Sequence, residues 1–210
     1  MFLMSALTLM ISCQSDDPTP TPTPSPAPAT PTATASSYFI SYELDGVSMI
    51  QENGVDGYQI GHSNGSSTDG VNNLISVDPG SVLYNFQNAT APHSGIHFMN
   101  NDFALTDYSS DNVAALATIF TMGAHDYSLI NTSTKGVQFD YSANNVEWST
   151  EKMAQPSSSS FEITTSEAST NILGGDQREV KGTFNCKIYN DSGASKNITN
   201  GQFHLIYTAP

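Results

Sequence analysis

From Tyr38 onward, apolar and polar residues mostly alternate with a period of two, the pattern of strands that bury one face. Ile40, Tyr42 and Leu44 share a side of the first segment. Asp45-Gly46 then marks a hairpin turn, and Val47 to Gln51 returns beside that segment. Tyr58 to Gly61 predicts a further short strand, while His62 to Asn73, rich in Ser, Asn, Asp and Gly, reads as a loop. Leu74 to Val77 leads to a turn at Asp78-Pro79-Gly80, and Val82 to Phe86 and Ile96 to Phe103 follow as strands.

The C-terminal half carries the clearest alternation. Val137, Phe139 and Tyr141 interleave with Gln138, Asp140 and Ser142; an Asn-Asn turn follows, and Val146, Trp148 and Thr150 then face together. Phe161 and Ile163 alternate in the same way. Val180, Gly182, Phe184, Cys186 and Ile188 occupy a shared face, Asp191-Ser192-Gly193 turns the chain, and Ile198 to Tyr207 closes the domain. Between the halves, Val113, Leu116, Ala117 and Phe120 fall at helical spacing. Ser110 is placed to cap the N-terminus and Gly123 to end the helix, which predicts a helix over 110–122; a buried strand from Leu116 to Met122 is the competing reading. Many short strands with one-sided polarity make an all-β domain, an antiparallel β-sandwich or barrel, with one short helix.

The first 37 residues follow a different logic. Phe2 to Ile11 is an apolar run too short to span a bilayer as a helix, and it has the length of a signal-peptide core. Ser12 precedes Cys13, which resembles the lipobox of bacterial lipoproteins, where cleavage leaves a cysteine that carries the lipid. Met10 stands where that motif usually has Leu, and the missing basic segment leads us to expect a true start upstream. The expected division is 1–12 signal peptide, 13–37 lipid anchor and stalk, and 38–210 the β-domain. Residues 14 to 37 are Pro- and Thr-rich, with no apolar side chain larger than Ala, and cannot offset the entropy of chain ordering. Alternating proline favours polyproline II, and Pro18 to Ser37 at roughly 3 Å per residue reaches about 60 Å. Ser15-Asp16-Asp17 just after the anchor resembles the export signal of surface-exposed lipoproteins in Bacteroidetes. The expected location is the outer membrane, lipid-anchored and facing the exterior.

The formal net charge is -14, and no Lys or Arg precedes Lys135. Such a chain repels phosphates, so nucleic acid and anionic headgroups are excluded as partners of the domain surface. The two cysteines are Cys13 and Cys186; acylation of the first leaves the second without a partner, and a disulfide framework is ruled out. Cys186, on an apolar strand face, reads as a core residue.

A resemblance now has its residues. The stretch Val180 to Tyr207, with Gly182-Thr183-Phe184 followed by Ile198-Thr199-Asn200-Gly201-Gln202-Phe203, looks like the C-terminal signature of small β-sandwich lipoproteins of Bacteroidetes. Val146 to Thr150 and Ser160 to Thr164 are similar to that group as well. The group forms a domain of unknown function, so the resemblance implies fold and location and brings no catalytic residues.

Four constellations merit chemistry. Gly61-His62-Ser63-Asn64-Gly65 matches the G-x-S-x-G nucleophile elbow, with Asp140 and His204 in the right chain order for a serine hydrolase. The residues after Gly65 cannot start a helix, however, and a loop explains the motif better. His93 and His97, four apart on a strand, are separated by roughly 13 Å, too far for one zinc ion. Asp45, Asp56 and Asp69, with neighbouring Glu52, Asn53 and Asn72, lie in turns and are candidate Ca²⁺ ligands, although the same residues are ordinary turn formers. Trp148, Asp140 and Glu147, with Glu151 close by, form a candidate ligand patch in which an aromatic face packs on a sugar; a core position explains Trp148 better, as for most buried aromatics. No reaction centre stands out. The sequence therefore predicts a non-enzymatic binding or assembly module, accessory to an outer-membrane protein, with glycan binding as the alternative.

Overall fold

The computed structural model describes residues 38–105, 113–170 and 176–208. The expected signal peptide, Cys13 and stalk lie outside them, as does Ser110.

The chain opens with β1 (Phe39–Leu44) and β2 (Val47–Glu52), joined by Asp45 and Gly46, both at positive φ. Leu44 pairs with Val47, the two-residue hairpin expected from Asp-Gly. β3 (Tyr58–Asp69) and β4 (Leu74–Asn85) form a long second hairpin in unbroken register. Two expectations fail here. His62 to Asp69 is strand rather than loop, because β4 supplies partners to residues whose own composition favours turns. Asp78-Pro79-Gly80 is not a turn but the middle of β4.

That proline is tolerated where the partner of β4 changes. β5 (His93–Met99) pairs with Gly80 to Leu83, and β6 (Asn101–Ala104) with Leu74 to Val77. Asn100 is the extra residue between them, at φ 57, and its backbone N–H donates to Asp78 Oδ1 at 2.6 Å. The geometry is a bulge, with a side chain standing in for the ladder.

α1 (Val113–Ile119) ends before the expected Met122, while 110–112 lie outside the described residues; Leu116, Ile119 and Phe120 are buried, and Gly123 at φ 111 follows the helix. β7 (Gly123–Ala124), β8 (Gly136–Ala143) and β9 (Val146–Ser149) come next, the last two joined by Asn144 and Asn145, both at positive φ. β10 (Ser160–Thr170), β11 (Asp176–Tyr189) and β12 (Ser195–Thr208) complete the chain.

The strands follow one antiparallel path, β2-β1-β12-β11-β9-β8-β5-β4-β3, with β10 on β11, β7 on β10 and β6 on β4. The path narrows to a single pair, Tyr189 with Ser149, where β11 meets β9. At that joint the sheet curls into a half-barrel, sandwich-like in section, so that its two arms face each other. Tyr42 of β1 meets Phe139 of β8 edge-on at 5.5 Å and shares a 2.9 Å hydrogen bond with Ser94 of β5. Tyr207 of β12 packs on Phe98 of β5 at 5.5 Å, and Phe120 covers both rings at 4.7 and 4.6 Å. Cys186 is a free thiol buried in this core.

The Gly-Thr-Phe and Asn-Gly-x-Phe segments have a physical role. Gly182 pairs with Phe203 and Gly201 with Phe184 across β11 and β12. A Cβ on Gly182 would fall 2.6 Å from the Phe203 ring, and one on Gly201 2.7 Å from the Phe184 ring. Each phenylalanine therefore lies over the opposite glycine, inside the core. Asn200, at φ 55, bulges β12 and shifts its parity, so that Ile198 and Phe203 both point inward.

Candidate functional site

β8 has its apolar residues inside and places Gln138, Asp140 and Ser142 on the outer face of the sheet. Register puts His97, Gly95 and His93 of β5 beside them, and Ser149 and Glu147 of β9 on the other flank of Asp140 and Ser142. Glu151 and Lys152, just beyond β9, complete an open cleft of about 300 Å³.

Its polar groups hold one another. Gln138 Nε2 donates to both carboxylate oxygens of Asp140, at 2.9 and 2.7 Å, and His97 Nε2 lies 3.4 Å from Asp140 Oδ2. Two glycines make room for the imidazole: a Cβ on Gly80 would stand 2.2 Å from His97 Nδ1, and one on Gly95 3.0 Å from Nε2. Burial holds the His97 pKa below its ordinary value, opposed by the charges of Asp140 and Asp78. Glu151 shifts upward, through burial first and then repulsion from Asp140, with Lys152 opposing. Lys152 itself pairs with exposed Asp191.

Of the expected ligand residues, Asp140 and Glu147 line this cleft on the outer face. Trp148 borders it from the other side of the strand: it pairs with Tyr141, packs against the core, and carries Lys196 Nζ at 5.1 Å from its ring centroid. Its ring is a wall capped by a cation, not an open platform.

Asp45 and Asp56 sit in separate turns, and Asp69 ends β3. Asp45 accepts from Asn197 N at 2.8 Å and lies 3.6 Å from Lys196, Asp56 takes a positive φ, and Asp69 accepts from Val71 N and Asn72 N in its own turn. Among the described residues, no group of three or more His, Cys, Asp or Glu side chains is placed to hold a metal ion. Turn geometry accounts for these aspartates, and the structure does not bring the three together.

Ser63 lies mid-strand in β3 opposite Gly80, without the strand-to-helix turn that a nucleophile elbow needs. Its imagined partners are engaged elsewhere: Asp140 with Gln138 and His97, and His204 with Glu179 at 3.4 Å. The sequence reading missed His93, His97 and Gln138 as cleft residues. The strand His93-Ser94-Gly95-Ile96-His97 already displayed a polar face with a central glycine, which was the signal available.

No protein-family model, curated protein or solved structure matches this chain.

Proposed function

We propose that this chain is a lipid-anchored, non-enzymatic binding module of the bacterial cell surface. Cys13 ties it to the outer membrane, the proline-rich stalk sets its height, and the β-domain serves as an accessory to an outer-membrane protein. The observation that supports a binding role is the cleft between β5, β8 and β9, whose polar side chains are held by one another over a floor of paired strands. Groups fixed before a ligand arrives lose little freedom on binding, which favours recognition. Asp140 is tied by Gln138 and His97, an arrangement suited to accepting hydrogen bonds from a ligand.

The test is a mild-detergent pull-down of the lipidated protein from its native envelope, with stoichiometry read by mass spectrometry. The expected result is one outer-membrane protein at near-equal abundance, depleted when Cys13→Ser releases the chain from the membrane. Recovery of the protein alone, with no ligand captured at the cleft, would overturn the reading.

A further inference from the structure

The cleft is one part of a longer feature that register makes visible. Gly61 pairs with Val82, Val82 with Gly95, Gly95 with Asp140, and Asp140 with Ser149, a row running from β3 to β9. Its side chains are small or short, so the row forms a floor across the strands. Four strand spacings of about 4.8 Å give it a length of about 19 Å. Beside it, on the same outer face, register aligns Tyr84, His93, Ser142 and Glu147 as one wall; Leu83 pairs with Ser94, which sets Tyr84 next to His93. His97 and Gln138 pair as the other wall.

At the β3 end the trough meets an aromatic step. The Tyr84 ring lies over Gly61, where a Cβ would come 2.5 Å from Cε1, and it packs on Phe86 with centroids 4.2 Å apart. Phe86 is 59% exposed. A surface ring pair next to hydroxyl, amide, imidazole and carboxylate groups matches the two-sided chemistry of a pyranose, with C–H groups for ring faces and hydroxyls for polar atoms. Asp140, Glu147 and Glu151 accept hydroxyl hydrogens and repel anionic chains.

We infer that the outer-face trough from Tyr84 and Phe86 to Glu147 binds an uncharged oligosaccharide chain lying across the strands, its length that of a tri- or tetrasaccharide. Tyr84 and Phe86 stack on one sugar, His93 and Ser142 bond along the wall, and Asp140 and Glu147 take paired hydroxyls at the far end. This rests on the reading of the chain as a binding module and supplies its ligand class.

The experiment uses the full chain in native affinity gels that contain β-glucan, xylan, mannan or starch, with alginate and polygalacturonate as anionic comparisons. At least one neutral polysaccharide retards the protein and the anionic ones do not. Tyr84→Ala weakens binding tenfold or more, Phe86→Ala about fivefold, and Ser142→Trp abolishes it by filling the cleft. Thr164→Ala, on β10, leaves binding unchanged. Unaltered melting of Phe86→Ala, an exposed site, guards against loss through misfolding. Retardation by none of the neutral polysaccharides, or wild-type binding by both Tyr84→Ala and Phe86→Ala, overturns the inference. A photo-crosslinker at Ser142 of the anchored protein in native envelopes separates the two readings. A protein adduct without glycan retardation overturns the glycan and keeps the binding module; neither adduct nor retardation overturns both.

Discussion

The same local device occurs on both faces of the sheet, with opposite consequences. Inside, Phe203 lies over Gly182 and Phe184 over Gly201. Outside, Tyr84 lies over Gly61 and His97 over Gly80. The inner rings are fully desolvated and touch other aromatics, Phe184 meeting Phe139 at 4.9 Å and Phe203 meeting Phe161 at 5.2 Å. Their glycines leave room for these rings inside the core, which serves packing. Of the outer rings, His97 is largely buried beside Asp140, whereas Tyr84 is half-buried and packs on exposed Phe86. A ring held against the sheet at a water-facing surface adds little to the core, so its value lies in what it offers to a ligand.

The comparison breaks most readily at Phe184. Phe184→Ala removes a buried ring and leaves a cavity above Gly201, and should cost about 3–5 kcal/mol in denaturant unfolding. Tyr84→Ala, by contrast, should stay within about 1 kcal/mol of wild type. Equal losses would mean that the outer ring is structural after all.

Glycines sharpen it further. A Cβ on Gly182 would meet the Glu162 carbonyl oxygen at 2.2 Å as well as the Phe203 ring, and backbone cannot swing aside. Gly182→Ala should therefore destabilise by about 1–3 kcal/mol. At Gly61 the obstacle is the far end of the Tyr84 side chain, which can rotate away. Gly61→Ala should cost about 0.5 kcal/mol or less, with the loss appearing in ligand binding instead.

His97 supplies a pH-dependent version. Burial lowers its folded-state pKa below the ordinary 6.5, so the unfolded chain takes up a proton more readily than the fold does. Stability is thus full above pH about 6.5 and is lost as pH falls from there toward the depressed folded value. Melting temperatures of His97→Gln between pH 7 and pH 5 should fall less than those of wild type. Asp140→Asn, which removes a charge that favours the imidazolium, should steepen the loss. The smallest effect belongs to Lys152→Ala: its partner Asp191 is 92% exposed, and the melting curve should shift by less than about 0.5 kcal/mol of stability.

Legibility differed along the chain for physical reasons. Val180 to Ile188 and Val137 to Tyr141 were plain because one face is buried and the other wet, and the Asp-Gly and Asn-Asn turns were plain because positive φ selects those residues. β3 was hidden: Ser63 to Asp69 has turn-forming composition, and only pairing with β4 makes it a strand. Pro79 concealed β4 in the same way, since its tolerance depends on the handover from β5 to β6. The helix was legible through Leu116 and Phe120, whereas its expected N-cap, Ser110, lies outside the described residues.

At the site, Asp140 and Glu147 were readable as a hairpin pair, since neighbouring strands place them by local geometry. Their company was not. His93, His97, Gly80 and Tyr84 arrive from strands some forty to sixty residues earlier in the chain, as the residue numbers show, and which of them face Asp140 depends on register. Alternation of side chains along a strand is a local property of the backbone, and the sequence by itself determined it: an all-β domain, its inner faces, its tight turns and an apolar, then proline-rich, N-terminal segment. Only the tertiary structure decided that one sheet curls into a half-barrel, and that Gly61, Val82, Gly95, Asp140 and Ser149, from five strands, align into a trough. Those outcomes come from pairing between distant segments, where a shift of one residue would send every side chain to the opposite face.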